Sequence, residues 1–183
     1  GMGTMIQSHA LTESDYRGSR FASHPSPLKG NHETLVLTRP DIILKIHRAY
    51  ANAGADILTT CSFCANAISQ REYGLAELAP EISFESARLA RQAADASGRR
   101  IFVAGSVGPT NTSLSLATDA DDPSARPLSF DSLSQAFDAQ ISALIEGGAD
   151  VILIETAFDA LNAKAALYAL AQVRERTRKN IPV

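Results

Sequence analysis

The sequence predicts an α/β fold on a parallel sheet, a partial (β/α)8 TIM-type barrel comprising roughly its first half. Three short apolar runs carry this: Ala55–Thr60 (ADILTT), Ile101–Ser106 (IFVAGS) and Ala149–Thr156 (ADVILIET). They do not alternate polar with apolar, as expected of strands covered on both faces. Each also follows a helical pattern that ends in glycine, and the joint Ala53–Asp56 (AGAD) is echoed at Gly147–Asp150 (GGAD). Helix alternating with strand through short links means a parallel α/β sheet.

The elements follow in order. In the segment 38–54, Thr38 is placed to cap a helix and Pro40 to occupy its first turn. Ile42, Ile43, Ile46, Ala49, Tyr50 and Ala53 share a face, and Gly54 terminates it. Pro80–Ser97 repeats the plan before Gly98. Asp131–Glu146 repeats it with Leu133, Phe137, Ile141, Leu144 and Ile145. An alanine-rich helix spans Leu161–Arg178, its basic end matched to the helix dipole. The last residues, Ile181–Val183, read as a strand beginning. No G-x-G-x-x-G joins a strand to a helix, which favours a barrel over a dinucleotide-binding fold. A full barrel needs about 250 residues, so the 183 residues are expected to form a single partial domain.

Two stretches, Ser14–Leu37 and Gly108–Phe130, read as long loops. The second follows a strand's C-terminal end, where barrel enzymes build their sites.

Composition removes several function classes. The chain is 45% hydrophobic and 20% charged with net charge −3, a soluble balance with no case for nucleic acid. No apolar run approaches a membrane span, and the first residues lack the charged start and apolar core expected of a signal peptide. The expected compartment is the cytoplasm.

Among chemistry-bearing residues, Glu155 stands out. It closes the run Val151–Glu155, directly after four apolar residues. A carboxylate there is costly without a partner, and at a strand's C-terminal end it would point at a substrate. Asp56 and Asp150 sit at strand entrances and read as structural. His9, His24, His32 and His47 show no metal-ligand spacing. Cys61 and Cys64 form a C-x-x-C, too few ligands for zinc and without a thioredoxin pattern around it. No readable strand ends in a lysine, which disfavours a Schiff-base lyase.

Several motifs together point further: GMGTMIQ at the start, YRGSRF, LKGN, AGADILTT, VAGSVGPTN and Glu146–Leu167 (EGGADVILIETAFDALNAKAAL). In these the chain resembles, over essentially its whole length, the homocysteine-binding (homocysteine S-methyltransferase) domain of cobalamin-dependent methionine synthase. The GPTN motif with its long following loop separates that branch from betaine-dependent relatives. The resemblance implies a (β/α)8 barrel, of which this chain is the N-terminal half. It also implies methyl transfer from methylcobalamin to a zinc-activated homocysteine thiol, giving methionine. Glu155 matches the glutamate that receives the substrate ammonium. Gly1, Gly3 and Thr4 match a glycine-rich loop near the substrate carboxylate, and Thr60 and Ser106 close strands on the same site. The family's three zinc-ligating cysteines belong to the barrel's second half, so Cys61 and Cys64 are not those ligands. No residue of this chain is expected to hold the metal or to act as a catalytic group. Cobalamin and folate sit on other modules, and the isolated half is expected to be inactive. The alternative is a non-catalytic half-barrel that binds a partner or self-associates.

Overall fold

The structure, a computed structural model, describes residues 1–122 and 124–183. Pro123, within the expected loop Gly108–Phe130, lies outside the described residues.

Strands β1 (Ile57–Thr59), β2 (Phe102–Val107) and β3 (Val151–Ile154) form a parallel sheet in the order β1-β2-β3. Ile57 pairs with Phe102 and Ala104 with Val151. β1 and β3 are shorter than the apolar runs that announced them, and β2 keeps the length of its run but lies one residue later. Helices α4 (Pro40–Asn52), α6 (Ala79–Asp95), α7 (Phe130–Glu146) and α8 (Ala160–Thr177) alternate with them. No described helix is long and apolar enough to cross a membrane.

The sheet's two faces differ. Leu58, Val103 and Ile152 are buried, and with Phe137, Ile141 and Leu144 of α7 they form the main core. Completely burying one such side chain contributes about 1.5–3 kcal/mol. On the other face Ile57, Phe102 and Leu153 are exposed at 55%, 41% and 39%. That is the face a closed barrel would turn inward.

The stretch expected as a loop over Ser14–Leu37 is instead a packed cap. It carries most of α2 (Glu13–Arg17), a 3-10 turn at His32–Thr34 and most of α3 (Leu35–Thr38). Tyr16, Phe21, Leu28, Leu35 and Val36 are buried there with Ile42, Ile43 and Ile46 of α4. Apolar residues spread irregularly over short helices leave no periodicity to detect. The opening residues, expected as a loop, form α1 (Met2–Gln7) with Gly1 at its N-cap. On α4 the N-cap is Arg39, because Thr38 belongs to α3. Ala49 and Ala53 are exposed, and His47 and Ala51 take the buried positions instead. Ile181–Val183 form no assigned strand, yet the Pro182 carbonyl accepts the Ile152 N–H at 3.0 Å, on the free side of β3.

The repeated joint has a physical cause. Gly54 and Gly148 have φ of 97° and 106°, which L side chains rarely adopt. The next residue closes the turn: Ala55 N–H donates to Tyr50 O at 3.1 Å and Ala149 N–H to Leu144 O at 3.0 Å. Gly147 stands where the first copy has Ala53. A Cβ there would overlap the Phe84 carbonyl oxygen and lie 2.9 Å from the Ala87 Cβ, so glycine lets α6 and α7 approach. Gly147→Ala in the full-length protein is expected to cost about 1–3 kcal/mol through overpacking. Urea unfolding of the two proteins measures the difference, and an unchanged midpoint would show that α6 and α7 have room to spare.

Candidate functional site

The C-terminal ends of the strands are stitched together by side-chain hydroxyls. Thr60 Oγ1 accepts the Ser106 N–H at 2.9 Å. Ser62 Oγ donates to the Ser106 carbonyl at 2.7 Å. Ser62 has then used its proton, so the Thr60 hydroxyl is the donor in their 2.6 Å contact. Ser106 Oγ donates to Glu155 Oε1 at 2.7 Å. From α7, Gln140 Nε2 donates to the Ser62 carbonyl at 2.8 Å. Thr60, Ser62 and Ser106 are at most 3% exposed.

This edge opens into a cavity of about 540 Å³, within the range of small-molecule sites. Glu155, Gly1, Gly3, Thr60 and Ser106 all line it. Thr4 does not; it is exposed on α1. Three further titratable groups line it that sequence reasoning either left aside or read as bland: Glu33, His32 and His47. Burial pushes the Glu33 carboxyl up, and the opposing pull of the Cys64 N–H and of His32 is weaker. Burial also lowers His47 to about 4, so its imidazole is neutral at pH 7, and its Nε2 has no partner among the described residues. His32 Nδ1 bonds the Tyr16 hydroxyl at 2.8 Å. The available signal for Glu33 was a weaker form of the one that marked Glu155: a carboxylate one residue away from a short apolar run, here Leu35–Leu37.

Cys61 lines the cavity from the loop after β1, and Cys64, on the same loop, does not. Burial raises both thiols, Cys64 to about 12, and Glu33 adds to the rise. Their backbone and thiol groups are engaged with the 3-10 turn. Cys61 Sγ donates to the His32 carbonyl at 3.6 Å, and the Cys64 N–H to Glu33 Oε1 at 2.9 Å. Among the described residues, no three His, Cys, Asp or Glu side chains gather as a metal site would need.

The family model for homocysteine S-methyltransferase matches residues 1–183. The chain belongs to the homocysteine S-methyltransferase family. Among solved structures it is similar to the homocysteine methyltransferase MmuM from Escherichia coli. The metallated form matches at 23% identity and a TM-score of 0.67, covering 97% of this chain and 58% of that one. The oxidized form matches at 22% and 0.67, covering 97% and 57%. The apo form matches at 20% and 0.61, covering 94% and 53%. This homocysteine S-methyltransferase chain therefore spans little more than half the length of those proteins. The likeness shows the fold: three parallel strands and their helices form part of a TIM-type barrel.

The loop after β2 is held by α8. Asp159 caps that helix and accepts Leu161 N–H at 2.8 Å, Ser115 N–H at 3.0 Å and the hydroxyls of Ser113 and Ser115. Asn162 Nδ2 donates to the Thr112 carbonyl at 2.8 Å, and its Oδ1 accepts Leu114 N–H at 3.1 Å. Burial pushes the Asp159 carboxyl up, but the bonds from Ser113, Ser115 and Leu161 outweigh it and hold it well below the usual range. A depressed carboxylate stabilises above its unfolded pKa, about 3.9, and that contribution fades as pH falls below it. Asp159→Asn is expected to cost about 1–3 kcal/mol at pH 7 and to speed amide exchange at Leu114 and Ser115. The gap from wild type should narrow below about pH 4. A pH-independent gap would remove the carboxylate from the account.

Proposed function

We propose that this cavity binds homocysteine within an enzyme that places a methyl group on its thiol to give methionine. One observation carries the proposal: in a chain of this family, Glu155 directly follows β3 and lines the cavity, with Ser106 Oγ on one carboxylate oxygen. The other oxygen is left for an ammonium group. Ser106 aims the carboxylate, and Thr60 and Ser62 hold Ser106. Gly1 and Gly3 bring backbone close to the cavity without side-chain bulk, suited to the ligand's carboxylate. Thr4, exposed outside the cavity, has no direct part.

The finer reading is the cobalamin-dependent methionine synthase branch, with methylcobalamin as donor and folate and cobalamin on other modules. Its support is the GPTN motif at Gly108–Asn111 and the loop anchored behind it by Asp159 and Asn162. Zinc would supply thiol activation, by lowering the pKa of a bound sulfur. The described residues do not fit it, because Cys61 and Cys64 are only two thiols, both raised by burial, and the Cys61 thiol is already bonded to the cap. Its ligands would come from outside these residues, and residues 1–183 alone would bind without turnover. A second reading is a non-catalytic module that self-associates; exposed Ile57, Phe102 and Leu153 support it.

The test is Glu155→Gln in the full-length protein. Glutamine keeps an acceptor for Ser106 but loses the charge. A charge-assisted hydrogen bond contributes about 1.5–3 kcal/mol, so homocysteine affinity should drop roughly 10- to 100-fold. 4-Mercaptobutyrate, which lacks the amino group, should lose almost nothing. Titration calorimetry of both ligands with both proteins measures this. Equal losses would make Glu155 a scaffold residue, and no binding of either thiol would leave the self-associating module.

A further inference from the structure

The cavity holds a second carboxyl that the homocysteine reading leaves unused. Glu33 sits in the 3-10 turn His32–Thr34 and is 9% exposed. It shares the cavity with Glu155, and no lysine or arginine side chain lines that cavity. Oε1 accepts the Cys64 N–H at 2.9 Å, and no ion pair among the described residues includes Glu33. The titratable groups around it are Cys61 and Cys64 on the loop after β1, Tyr16 on α2, Tyr73, and the adjacent His32. Glu72 adds negative charge near Cys64 and Tyr73. His47, Tyr50, Glu155 and the amino group of Gly1 complete the cavity's titratable set. Among the charges acting on Glu33, His32 is the one that favours its ionised form, and Glu33 forms no ion pair with the Gly1 amino group.

We propose that Glu33 is a second ligand-positioning carboxyl, which holds a proton while the cavity is empty and releases it when the ammonium of an amino-acid ligand enters. The inference rests on the amino-acid reading of the site. A buried acid bonded only by backbone N–H groups and paired with no cation is favoured as the neutral form, because burial outweighs those bonds. A primary ammonium has three N–H donors. Glu155, with one oxygen already on Ser106, does not satisfy all three. The exchange balances simply: the Glu33 O–H bond breaks, its proton goes to solvent, and the carboxylate pairs with the ligand's ammonium. No other bond changes. The proton release makes binding tighten as pH rises, until Glu33 is ionised in the empty cavity.

Titration calorimetry on the full-length protein tests this, with methionine as probe. Methionine has the ammonium and carboxylate but no thiol, so thiol ionisation adds no proton. Binding is measured at one pH in two buffers of different ionisation enthalpy, then between about pH 5 and 7, where the amino group stays protonated. Wild type is expected to release a proton fraction, with affinity rising by at most about tenfold per pH unit. Glu33→Gln, whose amide oxygen can still accept the Cys64 N–H, should bind without release and with a flat profile. Glu155→Gln should bind more weakly yet still release. Wild-type binding without release, or equal release from Glu33→Gln, overturns the inference and leaves the amino-acid reading intact. Failure of both methionine and homocysteine to bind wild type overturns that reading and the inference with it. If Glu33→Gln folds poorly by thermal unfolding, His32→Asn decides: retained release supports Glu33, and lost release overturns it.

Discussion

A parallel sheet has no hairpins, so no turn sets the relative height of its strands. Here the strand ends are levelled by buried hydroxyls. Thr60 and Ser62 grip both backbone groups of Ser106, and Ser106 reaches Glu155 on the next strand. Each of these hydroxyls is buried and used, so replacing any one by an apolar residue leaves a partner unpaired. Gln140 ties the same lattice to α7. The cavity floor is therefore held by the elements that form the main core, and the orientation of Glu155 is inherited from the sheet.

That lattice also explains the C-x-x-C. The loop after β1 must turn sharply out of the sheet while keeping Ser62 in place, and small residues allow it. Cys61 fills a buried slot beneath the cap, and Cys64 spends its N–H on Glu33. A zinc or redox cysteine needs an accessible thiolate, favoured by positive neighbours. These two have burial and a carboxyl instead, which keep both thiols protonated. Their role is packing, with reactivity suppressed by the acid that the loop helps to position.

What was legible in the sequence follows from periodicity. Helices α4, α6, α7 and α8 bury faces with regular spacing, and glycines mark the ends of the first three, so the β/α alternation could be read. The cap could not, because Tyr16, Phe21 and Leu28 are buried by tertiary packing over elements too short for a pattern. Nor could α1, whose six residues carry one buried side chain, Ile6. Glu155 was legible because a carboxylate after four apolar residues demands an explanation. Glu33 carried a weaker form of that signal, hidden inside a segment taken for a loop. His47 was invisible on a helix that otherwise reads by its isoleucines, since nothing local says that a histidine has taken a core position.

The acids of the sheet divide by edge, and the division locates the chemistry. At the strand entrances, Asp56 pairs with Arg99 at 3.1 Å, and Asp150 pairs with Arg91 and accepts the Val103 N–H at 2.7 Å. Those charges are neutralised inside the scaffold and ask nothing of a ligand. No ion pair among the described residues includes Glu155 at the exit of β3, or Glu33, which lines the same cavity from the cap. Holding such acids costs stability unless a cation arrives, and arginines as available as Arg91 or Arg99 could have been placed there. Acids paired at one edge and unpaired around a cavity at the other fit the positively charged ligand proposed for that cavity. In that proposed reading, the ammonium of an amino acid meets the requirement.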